Sequence, residues 1–239
     1  MAGSVGDVPC CHAPPTHCAG SEKHFLLSPF SNDQPMFFSF DGIDGGGKTT
    51  QIGRFCDWLR RRGLDVVACR DPGGTALGDA VRTILLDSRS TPIARRSEML
   101  LYMAARAQLV DEVIAPALAQ GKTIVSDRFL LANVVYQGHA GGLDVDGVWQ
   151  VGQVATAGLA PDLTFVLDLP EAEAARRMNR PLDRMEQQGA AFRAAVRAGY
   201  LAEAARCPER IVVIDASRSI DDVAAGIQRA AERVLPLAS

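Results

Sequence analysis

An α/β fold, with five parallel strands in one sheet and helices on both of its faces, is predicted by three features of the sequence. Short apolar runs alternate with helical patterns from residue 36 onward. These runs are apolar on both faces, as a sheet covered by helices requires. A glycine-rich loop stands between the first run and the first helix.

The first strand is read at residues 36–40, and the loop that follows opens a helix at 48–62, closed by Gly63. A second strand at 65–69 is followed by helices at 75–86 and at 95–120, the latter closed by Gly121. The remaining strands fall at 123–126, 163–167 and 211–214, with helices at 145–159, 170–178, 186–205 and 220–234. Strand–helix alternation of this kind implies right-handed crossovers and a doubly wound sheet, whose ligands bind beyond the carboxyl ends of the strands.

Composition limits the rest. The 239 residues, 47% hydrophobic and 22% charged, suit one such domain. A net charge of −3 and a pI near 5.8 argue against a polyanion-binding surface, so nucleic acid is not an expected partner. No apolar run approaches the roughly 18 residues of a membrane span, and the N-terminus lacks the pattern of a signal peptide. Of the basic residues only Lys23, Lys48 and Lys122 are lysines. Arginine offers a planar fork of donors that matches phosphate oxygens. The cysteines, clustered at 10, 11 and 18 and scattered at 56, 69 and 207, do not form a disulfide framework and fit a reduced, cytoplasmic setting. Residues 1–35, rich in proline and without periodicity, read as a disordered extension, with Met36 a possible translation start. The pairs Cys10-Cys11-His12 and His17-Cys18 lack the second ligand pair that a zinc site needs.

The loop Gly42-Ile43-Asp44-Gly45-Gly46-Gly47-Lys48-Thr49, continued by Thr50, fits G-x-x-x-x-G-K-[ST] between a strand and a helix. Its glycines let backbone N–H groups wrap a phosphate at the positive end of the helix. Lys48 would reach the β- and γ-phosphates of ATP, and the Thr49 hydroxyl would ligate Mg²⁺. This is the signature of a P-loop NTPase fold. Asp127, closing the third strand, stands where a Walker-B-type acid meets the metal; a helix N-cap is the alternative use of such a residue.

Further motifs then follow in order: Arg70-Asp71-Pro72-Gly73-Gly74-Thr75, Tyr102-Met103-Ala104-Ala105-Arg106, Asp127-Arg128, Asn133-Val134-Val135-Tyr136-Gln137-Gly138, Asp162 to Asp168 and Leu182-Asp183-Arg184. With them the chain resembles the thymidylate kinases from residue 36 to the C-terminus. The resemblance implies phosphoryl transfer from ATP to thymidine monophosphate in a cytoplasmic homodimer, with the 95–120 and 145–159 helices available as the interface. It implies that Arg70 and Arg128 hold the acceptor phosphate, that Asp44 lies near the acceptor sugar and the transferring group, and that Lys48, Asp44, Arg128 and a lid arginine form the catalytic set. Asp71 stands where the family usually has Glu, and its shorter side chain is expected to reach the same partner through water. For Tyr102 and Arg106, four apart on one helix face, the resemblance implies stacking on thymine and a hydrogen bond to its O4; without the resemblance Tyr102 reads rather as a core aromatic of the apolar run Met99–Met103. Pro72, Asn133, Tyr136 and Gln137 complete the acceptor set, and Phe129 replaces a usual Tyr or His.

Residues 176–186 match a short mobile lid over ATP. Other members carry an arginine in the P-loop at the position of Gly45, so the missing charge is assigned to Arg180. Arg176 and Arg177 read alternatively as solvated helix arginines. A deoxynucleoside kinase would share the P-loop but would not need Arg70 for an acceptor phosphate. A P-loop GTPase switch would need an Asn-Lys-x-Asp tetrad that the sequence lacks.

Overall fold

A computed structural model of the chain describes residues 35–87, 92–177, 184 and 186–235. The zinc reading of the N-terminal cysteines and Arg180 lie outside the described residues, as does most of the 176–186 segment. Five strands appear among the described residues, and each falls within a residue or two of its expected place: β1 Phe37–Asp41, β2 Val66–Arg70, β3 Thr123–Asp127, β4 Leu163–Asp168 and β5 Ile211–Asp215. They form one parallel sheet in the order β2-β3-β1-β4-β5. β1 is central, with Phe38 level with Val125 on one side and Leu163 on the other.

Alternation along β1 divides the core. Phe38 and Phe40 point to one face, where helix α1 (Lys48–Arg61) contributes Phe55 and Leu59. Phe55 meets Phe38 edge-on at 5.1 Å and Phe165 at 5.4 Å. Phe37 joins the core on the opposite side, with Met103, Leu109, Ile114 and Phe129. Burying each of these aromatic or aliphatic side chains stabilises by about 1.5–3 kcal/mol. Helices therefore cover both faces, as expected. The expectation of strands apolar on both faces holds for β1, β3 and β4, whereas the outer strands β2 and β5 alternate buried with partly or fully exposed residues.

Helix α2 (Ala76–Leu86) begins after Thr75, whose hydroxyl accepts from Gly78 N at 2.9 Å, so Thr75 is its cap and not its first residue. The helix expected over 95–120 is interrupted. α3 (Arg95–Leu109) passes into a π-helical stretch, Val110–Ile114, and then into α4 (Ala115–Ala119). Pro116 has no N–H to donate to the preceding turn, and the wider turn accommodates its ring. A helix not anticipated follows β3: α5 (Leu130–Asn133) continues as a π-helical stretch over Val134–His139. Residues 130–135 are all buried, so no polar face betrays the helical period. The chain continues through α6 (Val145–Ala155), α7 (Glu171–Arg177), α8 (Ala190–Arg206) and α9 (Ile220–Ala231), and β4 lies between α6 and α7.

Every strand ends on a charged residue: Asp41, Arg70, Asp127, Asp168 and Asp215. The chemistry therefore concentrates at the carboxyl edge of the sheet. Among the described residues, no helix is long and apolar enough to cross a membrane.

Candidate active site

The phosphate loop turns out of β1 at Gly42, where φ is +124° and a side chain would meet Leu167 O at 2.5 Å. Gly45, with φ +83°, is as confined: a Cβ there would lie 2.6 Å from Ala174 O in α7. The loop can be this tight only with glycine at both positions. Lys48 is buried and folds back on the loop, donating to Gly42 O at 3.1 Å and Ile43 O at 3.0 Å, with Asp44 Oδ1 at 3.4 Å. Burial and the nearby Arg128 charge push the Lys48 ammonium pKa down, and Asp44 opposes them. Gly45, Gly47, Lys48, Thr49 and Thr50 line one open cavity. Ile43 is buried, and Gly42, Ile43 and Gly46 shape the loop without lining that cavity.

Arg128 commands the space between this loop and the acceptor side. Its backbone is left-handed, with φ +67° in a non-glycine residue, held by Arg128 N to Phe40 O at 2.9 Å and by the Ser126 hydroxyl on Arg128 O at 2.6 Å. Its guanidinium donates to Asp44 Oδ1 at 2.8 Å, to the Tyr200 hydroxyl at 3.2 Å and to the Tyr136 hydroxyl at 3.3 Å. Burial alone would raise the Asp44 pKa, but the Arg128 and Lys48 charges outweigh it and hold the carboxyl well below the usual carboxylate range. The Tyr200 hydroxyl in turn donates to Asp41 Oδ1 at 3.2 Å. Burial pushes Asp41 up to about 6 against the pull of Arg128, Ser39, Lys48 and Tyr200.

A second cavity is lined by Pro72, Tyr102, Arg106, Asn133, Tyr136 and Gln137, so the residues expected around the acceptor come together there, except Arg70. Tyr102 is only partly buried and borders this space, so it is not simply a core aromatic. Arg106 is fully buried. It donates to Asp71 Oδ2 at 2.5 Å, Asn133 Oδ1 at 2.8 Å and Phe129 O at 3.3 Å. Asp71 thus has a direct partner in Arg106. Burial raises the Asp71 pKa and Arg106 pulls it back, while the other carboxylate oxygen, Oδ1, is buried without a hydrogen-bond partner among the described residues. Phe129 contributes no polar group; it packs edge-on against Phe37 at 4.9 Å and under the Arg106 guanidinium.

Asp44, Asp71, Arg82 and Arg128 line both cavities. Arg70 lines the loop-side cavity, exposed and paired with Asp79 at 2.9 Å. Arg82 was not anticipated. It stands in α2 and donates to Pro72 O at 3.0 Å, and the only sequence signal for it was the general excess of arginine. Arg177, at the end of α7, also borders the loop-side cavity, although it is bonded to Ala216 O and Glu173. Asp127 is not a helix cap, since the next helix begins at Leu130 with Phe129 before it. Its carboxylate borders the loop-side cavity with Thr49. These are hard oxygen donors, and no cluster of three or more His, Cys, Asp or Glu able to hold an ion occurs among the described residues. Such a sparse set fits Mg²⁺, which keeps several waters and takes its remaining ligands from phosphates.

A family model described as thymidylate kinase matches residues 40–227. The chain belongs to the thymidylate kinase family. It is 44% identical over 202 residues to the thymidylate kinase of Symbiobacterium thermophilum, covering 84% of this chain and 94% of that one. Its identity to the thymidylate kinase of Pelotomaculum thermopropionicum is 45% over 202 residues, with 83% and 94% covered. Among solved structures, the thymidylate kinase of Ehrlichia chaffeensis superposes with a TM-score of 0.65 at 30% identity, covering 82% of this chain and 98% of that chain. The thymidylate kinase match begins within β1 and ends within α9, so it embraces both cavities and the sheet from the end of β1 through β5.

Proposed function

We propose that this chain transfers the γ-phosphoryl group of ATP to thymidine monophosphate, giving thymidine diphosphate and ADP, and that the two cavities are its donor and acceptor sites. The observation that carries this is their shared border of Asp44, Asp71, Arg82 and Arg128. A monophosphate in one cavity then faces the end of a triphosphate in the other.

The difficulty in this reaction is bringing two anions together and stabilising the charge on the transferring group. Arg128, kept protonated and aimed by Asp44 and Tyr200, bridges acceptor phosphate and γ-phosphate. Lys48 exchanges the loop carbonyls for the β- and γ-phosphates. Arg70 leaves Asp79 for the acceptor phosphate, and Arg180 supplies the charge that Gly45 cannot. Thr49 and Asp127 would hold Mg²⁺, which would supply positive charge to offset that of the phosphates. Tyr102 stacks on the base, and Arg106 donates to thymine O4 beside Asn133. Tyr136 and Gln137 close the sugar side.

The functional domain in this proposal is residues 36–239, acting in the cytoplasm where its nucleotides are made. It acts as a homodimer through α2, α3 and α6, which expose Leu77, Ile84, Leu100 and Val154. Sedimentation of the purified protein tests the dimer. For the reaction, ADP release is measured with thymidine, its monophosphate, and the deoxycytidine and deoxyuridine monophosphates as acceptors. Thymidine monophosphate should lead and thymidine should be inert. The deoxyuridine nucleotide should trail modestly, since one methyl group contributes about 1–3 kcal/mol. Equal rates with the cytidine and thymidine nucleotides would refute the base assignment, and turnover of thymidine itself would make the protein a nucleoside kinase.

A further inference from the structure

Glu98, on α3, has no place in the reaction described above, yet it is wholly buried. A buried carboxylate is costlier than an apolar residue of similar volume unless its partners are well made. Here they are. Arg184 Nη2 donates to Glu98 Oε2 at 2.6 Å, and Arg184 is anchored further by Nε on Leu85 O at 2.8 Å. Gln137 Nε2 donates to Glu98 Oε1 at 2.8 Å, with Arg95 Nη1 3.5 Å from the same oxygen. The chain of hydrogen bonds continues: Asn133 Nδ2 donates to Gln137 Oε1 at 2.8 Å, and Arg106 Nη1 donates to Asn133 Oδ1 at 2.8 Å. Thus two amides, both bordering the acceptor cavity, are strung between a carboxylate and a guanidinium.

The two ends decide the direction of the chain. An ionised carboxylate can only accept and a guanidinium can only donate. Gln137 must therefore turn its NH₂ to Glu98 and its oxygen to Asn133. Asn133 must turn its NH₂ to Gln137 and its oxygen to Arg106. Reversing either amide would set donor against donor or acceptor against acceptor in a buried place. The result beside the base is a guanidinium donor next to an amide acceptor. Thymine presents the complement, the O4 acceptor next to the N3–H donor. Cytosine presents the reverse, an amino donor next to the bare N3.

We infer that Glu98 is a specificity-determining positioning residue: acting through Gln137, it fixes the polarity of Asn133 and so the preference for thymine over cytosine. This rests on the base-site assignment under the proposed function. Glu98 does not touch the acceptor; it sets which atom of Asn133 does.

Glu98→Gln tests this with little change in size. The substituted amide cannot accept from both Arg184 and Gln137 through oxygen alone, so one end of the chain is left mismatched. The ratio of kcat/KM for thymidine monophosphate over deoxycytidine monophosphate should fall roughly tenfold or more, carried by the KM of the thymidine nucleotide, with the KM of ATP unchanged. The exchange variant Glu98→Gln with Gln137→Glu moves the acceptor-only group one step along the chain. Residue 98 can then donate to residue 137 and accept from Arg184, while Asn133 keeps its orientation. Because Gln137 itself borders the acceptor cavity, absolute rates should fall in this variant, and the readout is the ratio for the two nucleotides: most of the selectivity should return, which a merely structural role for Glu98 does not predict. Melting curves establish which variants fold; if the single variant does not, the exchange variant carries the test alone. Parental selectivity in Glu98→Gln, or an exchange variant that folds but does not discriminate, overturns the inference. A parent that does not distinguish the two nucleotides overturns the base-site assignment instead.

Discussion

Arg128 Nη2 lies 2.8 Å from Asp44 Oδ1, tying the end of β3 to the middle of the phosphate loop across 84 residues of sequence. The pair stands where the two cavities share their border, so it affects both stability and turnover. Asp44→Asn keeps the shape but removes the charge that aims Arg128. We expect kcat to fall by a factor on the order of 10² with acceptor binding less affected. The stability effect has a definite sign. The Asp44 carboxyl is held below its ordinary value in the folded state, so its contribution is present above the unfolded value near 3.9 and lost as pH falls through the folded one. The stability gap between parent and Asp44→Asn, measured by denaturant unfolding, should narrow as pH is lowered below about 4. A constant gap would mean that the charge pair does not stabilise the fold.

Asp41 predicts the opposite slope. Burial raises it from 3.8 to about 6, and among the described residues it has only the Ser39 and Tyr200 hydroxyls as direct partners. A raised carboxyl favours the folded state while protonated and costs stability as pH rises from about 4 to about 6, on the order of 3 kcal/mol in all. Asp41→Asn should therefore gain on the parent over that interval and then hold its advantage at higher pH. Unfolding of both proteins at about pH 4 and pH 7.5 gives the comparison, and a variant with no gain would show that Asp41 ionises freely.

Arg70 and Arg180 should separate in kinetics. Arg70 is exposed on the loop-side cavity and free to exchange Asp79 for the acceptor phosphate, a contact already made in the ground state. Arg70→Ala should raise the dissociation constant of thymidine monophosphate as well as lower turnover. Arg180→Ala should lower kcat on the order of 10²-fold and leave acceptor binding nearly unchanged, because charge on the transferring group peaks in the transition state. Steady-state kinetics with calorimetry of the acceptor distinguishes them. If Arg176→Ala or Arg184→Ala collapsed turnover while Arg180→Ala did not, the assignment would move to that arginine.

A chain beginning at Met36 should melt and turn over like the full-length protein. The core begins with β1, and Met36 O already accepts from Ile124 N at 2.8 Å in the sheet. A drop in melting temperature of several degrees would show that residues 1–35 contribute to the fold.

Much of this was legible because it depends on local spacing. All five strands could be read from short apolar runs, and the phosphate loop from glycines that only one backbone path explains. Helix 130–139 escaped because residues 130–135 are buried on all sides and its polar residues Asn133, Tyr136 and Gln137 turn to the acceptor cavity, so no solvent-facing stripe marks the helical period. Arg82 and Glu98 escaped for a different reason: each is an ordinary charged residue on a helix. What distinguishes them is what faces them across the fold, Pro72 in one case and Gln137 with Arg184 in the other. Sequence spacing carries no trace of that.

The close approach of Gly45 to Ala174 bears on how such enzymes can diverge. An arginine at this loop position would need a side chain where this backbone leaves 2.6 Å to a carbonyl of α7. A single codon change cannot cross between the two arrangements, because Gly45→Arg meets main chain that a rotamer change cannot move aside. The helix would have to back away first, losing its packing before any charge is gained. The two designs are thus separated by a backbone displacement.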